Sequence, residues 1–483
     1  MEEAIRSDVV VVGAGAAGLY TALCAARAGA AVTLVSATPL AETASYWAQG
    51  GLAAALAVDD SIEAHLQDTE RAGRGLVRRS AARVLCDRAP GRVLDLARLG
   101  VRFDADRRGN LALGLEGGHS LRRVAHAGGS TTGRRVVRQL AAVLVASSDV
   151  TVLEGARAAA LWGHDGRCVG VRLDDGRSVG ARATVLATGG TAALWSRTTN
   201  PPGSQGIGLT LAWTGGARLA DLEFLQFHPT AVTGVAGREG FLVTEAIRGE
   251  GATLHGPDGE RFVDELAPRD EVARAIAARL AETGATSVGL DMRSVDPALF
   301  PNVVGALREA GLDPARELVP VSPAAHYAMG GVVCDLHGRA SVAGLYAVGE
   351  VACSGLHGAN RLASNSLSEC FVFGARAAAA AVDEPPLPDA VPAPAGGAQP
   401  PAVSRATRAA LWRGAGLLRT APGLRALLDD PHPLARLIAA CALHRTESRG
   451  AHRREEFPQP DPALDGRHTV VAPDGEPRYE RWE

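Results

Sequence analysis

The stretch "VVVVGAGAAGL", Val9 to Leu19, decides the fold. A run of β-branched apolar residues, Asp8 to Val12, reads as a buried strand ending in glycine. Gly13, Gly15 and Gly18 follow at the spacing G-x-G-x-x-G, and an Ala/Leu-rich helical stretch continues to Ala28, where Gly29 stops it. A second apolar strand is expected over Ala31 to Val35. In this βαβ order each glycine has a task. The first permits the tight turn, the second lets backbone amides approach a pyrophosphate at the helix N-terminus, and the third lets helix and strand pack closely. Gly13, Ala14, Gly15, Ala16, Ala17 and Gly18 are therefore candidate dinucleotide contacts. The second strand ends in Ser36, not in an acid that could grip a ribose hydroxyl. The Ser36 hydroxyl or a backbone group is expected to substitute.

Two later junctions say which dinucleotide. "ATVLATGG" (Ala183 to Gly190) and "GLYAVGEVA" (Gly344 to Ala352) are further buried strands ending in glycine. The first offers Gly189 for close backbone approach, and the second offers Glu350 as an acceptor for a ribityl or ribose hydroxyl. Three such junctions spread along the chain fit an extended FAD better than NAD. "ASYWAQGG", covering Ala44, Ser45, Tyr46, Trp47, Ala48, Gln49, Gly50 and Gly51, adds a loop suited to lining a flavin ring and bonding its polar edge.

Composition excludes several other classes. The chain has 483 residues, 46% hydrophobic and 21% charged, the balance of a globular protein with room for several domains. A net charge of -3 offers no basic field to a nucleic-acid backbone, and there is no uninterrupted apolar run long enough to span a bilayer. All 50 basic residues are arginine. The seven cysteines are scattered and form no C-x-x-C pair, so neither a disulfide framework nor a metal site is expected. The opening "MEEAIRSDVV" carries acids where a secretion signal would carry positive charge, which points to the cytoplasm.

From "VVGAGAAGL" through "AQGG", "LEFLQFHPT", "ELAPRD", "AAHYAMGGV" and "GLHGANRLASNSLSEC" to "ESRGAHRREEFP", the chain resembles the fumarate reductase, succinate dehydrogenase and L-aspartate oxidase flavoproteins. The resemblance implies an α/β fold: a discontinuous Rossmann-like FAD-binding domain, 1–221 and 328–382, with an inserted α+β capping domain, 222–327. A Pro/Ala-rich linker at 383–404, a small C-terminal helical domain at 405–457 and a tail at 458–483 complete it. It also implies a dicarboxylate site. Carried onto this sequence, Arg269, His228, His326 and Arg361 are expected to be catalytic, with Gln226, Thr244, Glu245 and Ser366 binding substrate. Arginine suits this work, since its planar fork matches a carboxylate with two parallel hydrogen bonds. The two histidines can donate to the same oxygens, gaining affinity if negative charge in the site raises their pKa. Ser364 or Asn365 reads as an N-cap, so the amides of Ser366 and Leu367 are expected to face the flavin, where negative charge develops on reduction.

Two positions separate the members of this family. In the respiratory subunits a histidine four residues before the Ala of "AQGG" is joined to FAD; Ala44 stands there, so FAD is expected to bind noncovalently. The second position is Glu116 in "LEGGHSLRR", with His119 and Ser120 as supporting donors. An acid is repulsive to succinate or fumarate but fits the ammonium of L-aspartate. The resemblance thus implies oxidation of L-aspartate to iminoaspartate, with O2 (giving hydrogen peroxide) or fumarate as electron acceptor. It further implies transfer of iminoaspartate to quinolinate synthase in the first step of NAD biosynthesis. A soluble fumarate reductase or succinate dehydrogenase-type flavoprotein is the main alternative, and a flavin-binding protein without turnover is a weaker one. The chain departs from the family in a short "TTNPPGSQGIG" loop, with Gln205 where an Asp is usual, and in a shortened "RFVDELAPRD".

Overall fold

The structure, a computed structural model, describes residues 4–40, 43–387, 391 and 399–483. The valine run forms the strand Ile5–Val12, flanked in parallel by Val32–Ser36 and Ser178–Leu186. Across the sheet the order is Val150–Glu154, Val32–Ser36, Ile5–Val12, Ser178–Leu186, Arg167–Leu173 and Ala158–His164; Leu345–Ala347 adds in parallel to Ser178–Leu186. Alternation along the first strand supplies two cores. Val9 and Val11 pack with the helices on one face. Val10 and Val12 join a second core that includes Trp195 and, from the C-terminal helices, Leu434 and Ile438. Both faces are covered, which is why the strand reads as a continuous apolar run.

Helix Ala16–Arg27 starts directly after the glycine turn and packs against Asn365–Val382. Both helices are rich in alanine, and small side chains let helix axes approach closely. Tyr20 meets Phe371 edge-on at 5.2 Å. Gly13 is at φ +110°, and a Cβ there would collide with the Ala187 carbonyl; at Gly18 it would collide with the Gly13 carbonyl. The turn can therefore carry no side chain at either place.

The second unit is an antiparallel sheet in the order Leu225–Val232, Val319–Ala328, Val288–Asp291, Thr253–His255. Helices Arg269–Thr283 and Pro301–Glu309 cover it around a separate core that includes Leu254, Ile276, Val303 and Val321. The ladder of its two longest strands is irregular between Gln226 and Phe227 and between His228 and Ala231. Such irregularities re-aim side chains, and both fall at candidate site residues. A mixed, largely parallel sheet with helices, an α+β unit and a helical C-terminal part make up the expected fold class.

Helices Arg405–Gly414, Ala421–Leu427 and Pro433–His444 follow. Part of the Pro/Ala-rich linker, 388–390 and 392–398, lies outside the described residues. The stretch expected as a tail is folded: Arg467–Val471 pairs antiparallel with Leu219–Ala220 and with Arg478–Arg481. Its alternating Val470 and Val471 are both buried, one against each side of the strand pair, and this apolar content is what holds it down. Among the described residues no helix is long and apolar enough to cross a membrane.

Candidate active site

The two units meet at a cluster of guanidinium groups. Arg269 is the first residue of its helix, a position where the helix dipole favours an acid, so its placement there works against local stability. Arg269 donates to Glu245 and, at 3.4 Å, to Gln226 Oε1. The same Gln226 oxygen accepts from Arg361 at 3.0 Å, while the Gln226 amide donates to Asn360 Oδ1 and to the Arg361 carbonyl. Arg361 also donates to Ser366 Oγ at 3.1 Å and lies 4.6 Å from the Tyr327 ring centroid. Arg248, fully buried, pairs with Glu245 at 3.5 Å and donates to the Glu265 carbonyl. Thr244 is the buried residue that opens the short helix Glu245–Gly249.

The charges in this cluster do not balance. Burial and then Arg269 push the Arg361 guanidinium down to about 10. Burial alone would raise the Glu245 carboxyl, but Arg269 and Arg248 outweigh it and hold the group below the usual carboxylate range. His228 and His326 lie 5.1 Å apart, ring centroid to centroid, edge-to-face. Burial, followed by the positive charge of Arg269, pushes both imidazoles well below their ordinary value. This sharpens the sequence expectation: before any dianion binds, the surroundings lower these groups, and the histidines are neutral donors. His228 Nδ1 accepts from the Thr230 amide at 3.3 Å, leaving Nε2–H to donate. His326 Nδ1 pairs with Thr199 Oγ1 at 2.8 Å, and Asn200 donates to the His326 carbonyl.

Glu116 is buried, while its chain neighbour Leu115 is exposed. Its Oε2 accepts from Ser364 Oγ at 2.6 Å, and its Oε1 lies 3.9 Å from His126 Nε2. Its glycine neighbours are needed for space. A Cβ on Gly117 would collide with the Glu245 carboxylate, and one on Gly50 would stand 3.6 Å from Glu116 Oε1. His119 and Ser120, expected as supporting donors, bond to groups of the protein itself. His119 pairs with the Ala363 carbonyl and Arg123, and Ser120 donates to Asp68. They anchor the loop that carries Glu116.

The candidate flavin residues line the junction of sheet and helices. Ser45 Oγ accepts from the Ala16 amide at 3.1 Å, so the Ala44–Trp47 turn is seated on the glycine motif. Gln49 donates to the Leu242 carbonyl of the antiparallel unit, leaving Oε1 buried without a partner. Gly51 donates its amide to Ser364 Oγ. Ser36 uses its proton on the Thr38 carbonyl, so only its lone pairs are available to a ribose. Glu350 accepts from the Ala328 amide and is pushed up to about 7 by burial. Trp47 departs from expectation: it is 63% exposed and pairs edge-on with Tyr46, which lies under Arg134 and Arg138. Tyr46 is half-buried against the core, and the Trp47 side chain forms surface. Gln205 donates to the Pro202 carbonyl within its own turn.

The residues fit an FAD. Among the described residues buried Thr43 Oγ1, Gln49 Oε1 and Thr188 Oγ1 have no partner, and space opens where Gly189, at φ +76°, would carry a side chain. Ser366 and Leu367 lie in the first turn of Asn365–Val382, where amides have no intrahelical acceptor. Ser364 is the residue before that helix, but its side chain makes no cap bond. Sequence reading missed Asn360, Tyr327, Thr199, Asn200 and Arg248 as supports of the cluster. Asn360 stands inside the quoted "GANRLAS", so its position was visible while its contact with Gln226 was not.

Known proteins resemble the chain over nearly its whole length. Residues 8–367 match the FAD binding domain family, and 425–481 match the fumarate reductase flavoprotein C-terminal family. The chain is 42% identical to an L-aspartate oxidase of Streptomyces coelicolor, over 97% of this chain and 92% of that one. It is 46% identical to an L-aspartate oxidase of Caulobacter vibrioides, over 96% of each. Among solved structures, a quinol-fumarate reductase with menaquinol molecules superposes with a TM-score of 0.90 at 27% identity, covering 100% of this chain and 98% of that one. Sdh1 of Mycobacterium smegmatis superposes with a TM-score of 0.85 at 30% identity, covering 100% and 95%. On this sequence identity, spanning nearly its whole length, the chain belongs to the L-aspartate oxidase family of FAD-binding flavoproteins.

Proposed function

We propose that the chain oxidises L-aspartate to iminoaspartate, and that the residues assembled around Arg269 and Arg361 are its substrate site. The observation that carries this reading is Glu116: a buried carboxylate beside a cluster with surplus positive charge, where only a substrate with its own cation has use for it. Arg361 and Arg269 hold the two carboxylates, and Gln226 keeps both guanidiniums in register through one oxygen. Neutral His228 donates from Nε2 to a carboxylate oxygen, and His326 closes the same wall. Glu116 accepts from the substrate ammonium. Hydride loss from Cα needs the amine lone pair, so Glu116 is also the nearest group to receive that proton. Arginine stays protonated, which makes Arg269 an anchor, and a proton donor when fumarate is reduced.

The glycine turn, the Ala44–Gly51 loop, Glu350 and the amides of Ser366 and Leu367 would hold FAD noncovalently, and the bound flavin would supply a hydride acceptor that O2 or fumarate can reoxidise. The surplus of guanidinium groups and the helix N-terminus favour the negative charge that reduction brings. Handing iminoaspartate to a quinolinate synthase, in NAD biosynthesis, fits a product this prone to hydrolysis.

Purified protein with its flavin decides the matter. L-aspartate should bleach the flavin anaerobically and yield peroxide in air. If it does neither, while reduced dye plus fumarate turns over rapidly, the protein is a fumarate reductase.

A further inference from the structure

Ser364 has a backbone conformation that its place in the sequence does not require. It precedes the helix Asn365–Val382, where a serine ordinarily sits in extended backbone and caps an amide two or three residues on. Here it is at φ 60°, ψ -2°, left-handed, and its hydroxyl caps nothing. Outside glycine such a conformation is uncommon and costs free energy, and it tends to persist where the surroundings impose it. Two things follow locally. The first-turn amides at Ser366 and Leu367 are left without a cap, and the hydroxyl is turned toward Glu116.

The bonds of that hydroxyl have a fixed direction. The Gly51 amide can only donate, and it donates to Ser364 Oγ at 3.1 Å. The single Ser364 proton then goes to Glu116 Oε2 at 2.6 Å. One carboxylate oxygen is thereby occupied and the other, Oε1, is left toward Gly50 and His126. The Ser364 carbonyl also accepts from the Ala53 amide, so the residue is held on both sides. The backbone of the Gly50–Gly51 loop, the acid and the helix start all meet at this one side chain, which is 5% exposed.

We propose that Ser364 is a positioning residue for substrate specificity: its hydroxyl fixes the Glu116 carboxylate so that Oε1 faces the substrate ammonium. This rests on the reading of Glu116 as the ammonium acceptor. Removing the hydroxyl leaves Glu116 without its main bond, and the effect should fall on a substrate that carries an ammonium more than on one that does not.

The test is steady-state kinetics of the FAD-loaded protein in both directions, L-aspartate oxidation and fumarate reduction, for Ser364→Ala, Ser364→Gly and Glu116→Gln. The ratio of kcat/KM for L-aspartate to that for fumarate should fall about tenfold in Ser364→Ala, mostly through KM for L-aspartate. Ser364→Gly relaxes the left-handed backbone while also lacking the hydroxyl, so it should show the same fall and remain folded even if Ser364→Ala does not. Ser364→Asn, which tolerates the conformation and restores a donor, should recover part of the ratio. Adding Ser364→Ala to Glu116→Gln should change the ratio little further, because both act through one contact. An unchanged ratio in Ser364→Gly, with a fall in Glu116→Gln, overturns the role of Ser364 and leaves that of Glu116. An unchanged ratio in Glu116→Gln overturns both.

Discussion

Two clusters of buried arginine stand in this molecule, and they treat charge in opposite ways. Around the candidate site, Arg248 and Arg269 share Glu245, Arg361 bonds the neutral Gln226 and Ser366, and Glu116 is set apart on Ser364. Beneath the C-terminal helices, Arg445 is matched to Glu223 at 2.6 Å and to Glu447 at 2.8 Å, and Arg449 also pairs with Glu447. His468 meets Asp221 at 2.5 Å. The guanidiniums record the difference. Burial and Arg269 push Arg361 down, whereas at Arg445 the acids Glu223 and Asp221 outweigh the opposing effect of burial and push it up. A matched buried pair holds structure together; a surplus waits for an anion.

The largest effect should come from breaking the matched cluster. Arg445→Met leaves Glu223 buried without its cation and Glu447 with Arg449 alone, and should cost about 3–5 kcal/mol of stability, read from denaturant unfolding. Adding Glu223→Gln should return part of it. At the site the same kind of change should act the other way. Arg361→Gln should lower kcat/KM for L-aspartate about a thousandfold, through a lost pair of charge-assisted bonds. Its unfolding free energy should be unchanged or higher, since a like-charge contact is relieved. Loss of stability comparable to Arg445→Met would erase the distinction between the clusters.

A smaller effect concerns occupancy. Succinate at about 100 times its Kd should stabilise the wild-type protein by about 2.7 kcal/mol, a thermal shift that Arg361→Gln should abolish. Smallest is the pH response. A protonated imidazole would add positive charge and tighten a dianion, but His228 and His326 are held well below 6.5. Succinate inhibition should therefore be flat from about pH 6 to 8 and strengthen only on further acidification, as the imidazoles gain their protons. Tightening that begins near pH 7 would mean that the bound anion, not the surrounding arginines, sets the state of the histidines.

Much of this was legible in the residues. Four valines running into three spaced glycines specify strand, turn and helix, because each residue type has few conformations open to it. Arg269, His228, His326, Arg361 and Gln226 stood in quoted motifs, and the structure brings them together. What could not be read was the charge state of the site, since it depends on neighbours distant in sequence, as Arg269 is from His228, whose pKa it helps to lower. The left-handed turn of Ser364 was hidden too, for a serine before a helix ordinarily caps it. "ESRGAHRREEFP" was visible as a motif, yet nothing in it told that Glu447 and Arg449 would be paired inside the fold while Arg269 was left in surplus. Trp47 misled for the opposite reason: an aromatic in a flavin loop invites an inward reading, and only packing shows which way it turns.

The strand Arg467–Val471, which closes over Leu219–Ala220, has a consequence for how the protein is made. Its partner strand leaves the ribosome nearly half a chain earlier, with Asp221 beside it awaiting His468. Until the last segment emerges, that carboxylate and the sheet edge next to it stay open to water and to other chains. Completion of this sheet thus waits on a strand made long after its partner, and a nascent chain halted before His468 would leave that edge exposed to aggregation.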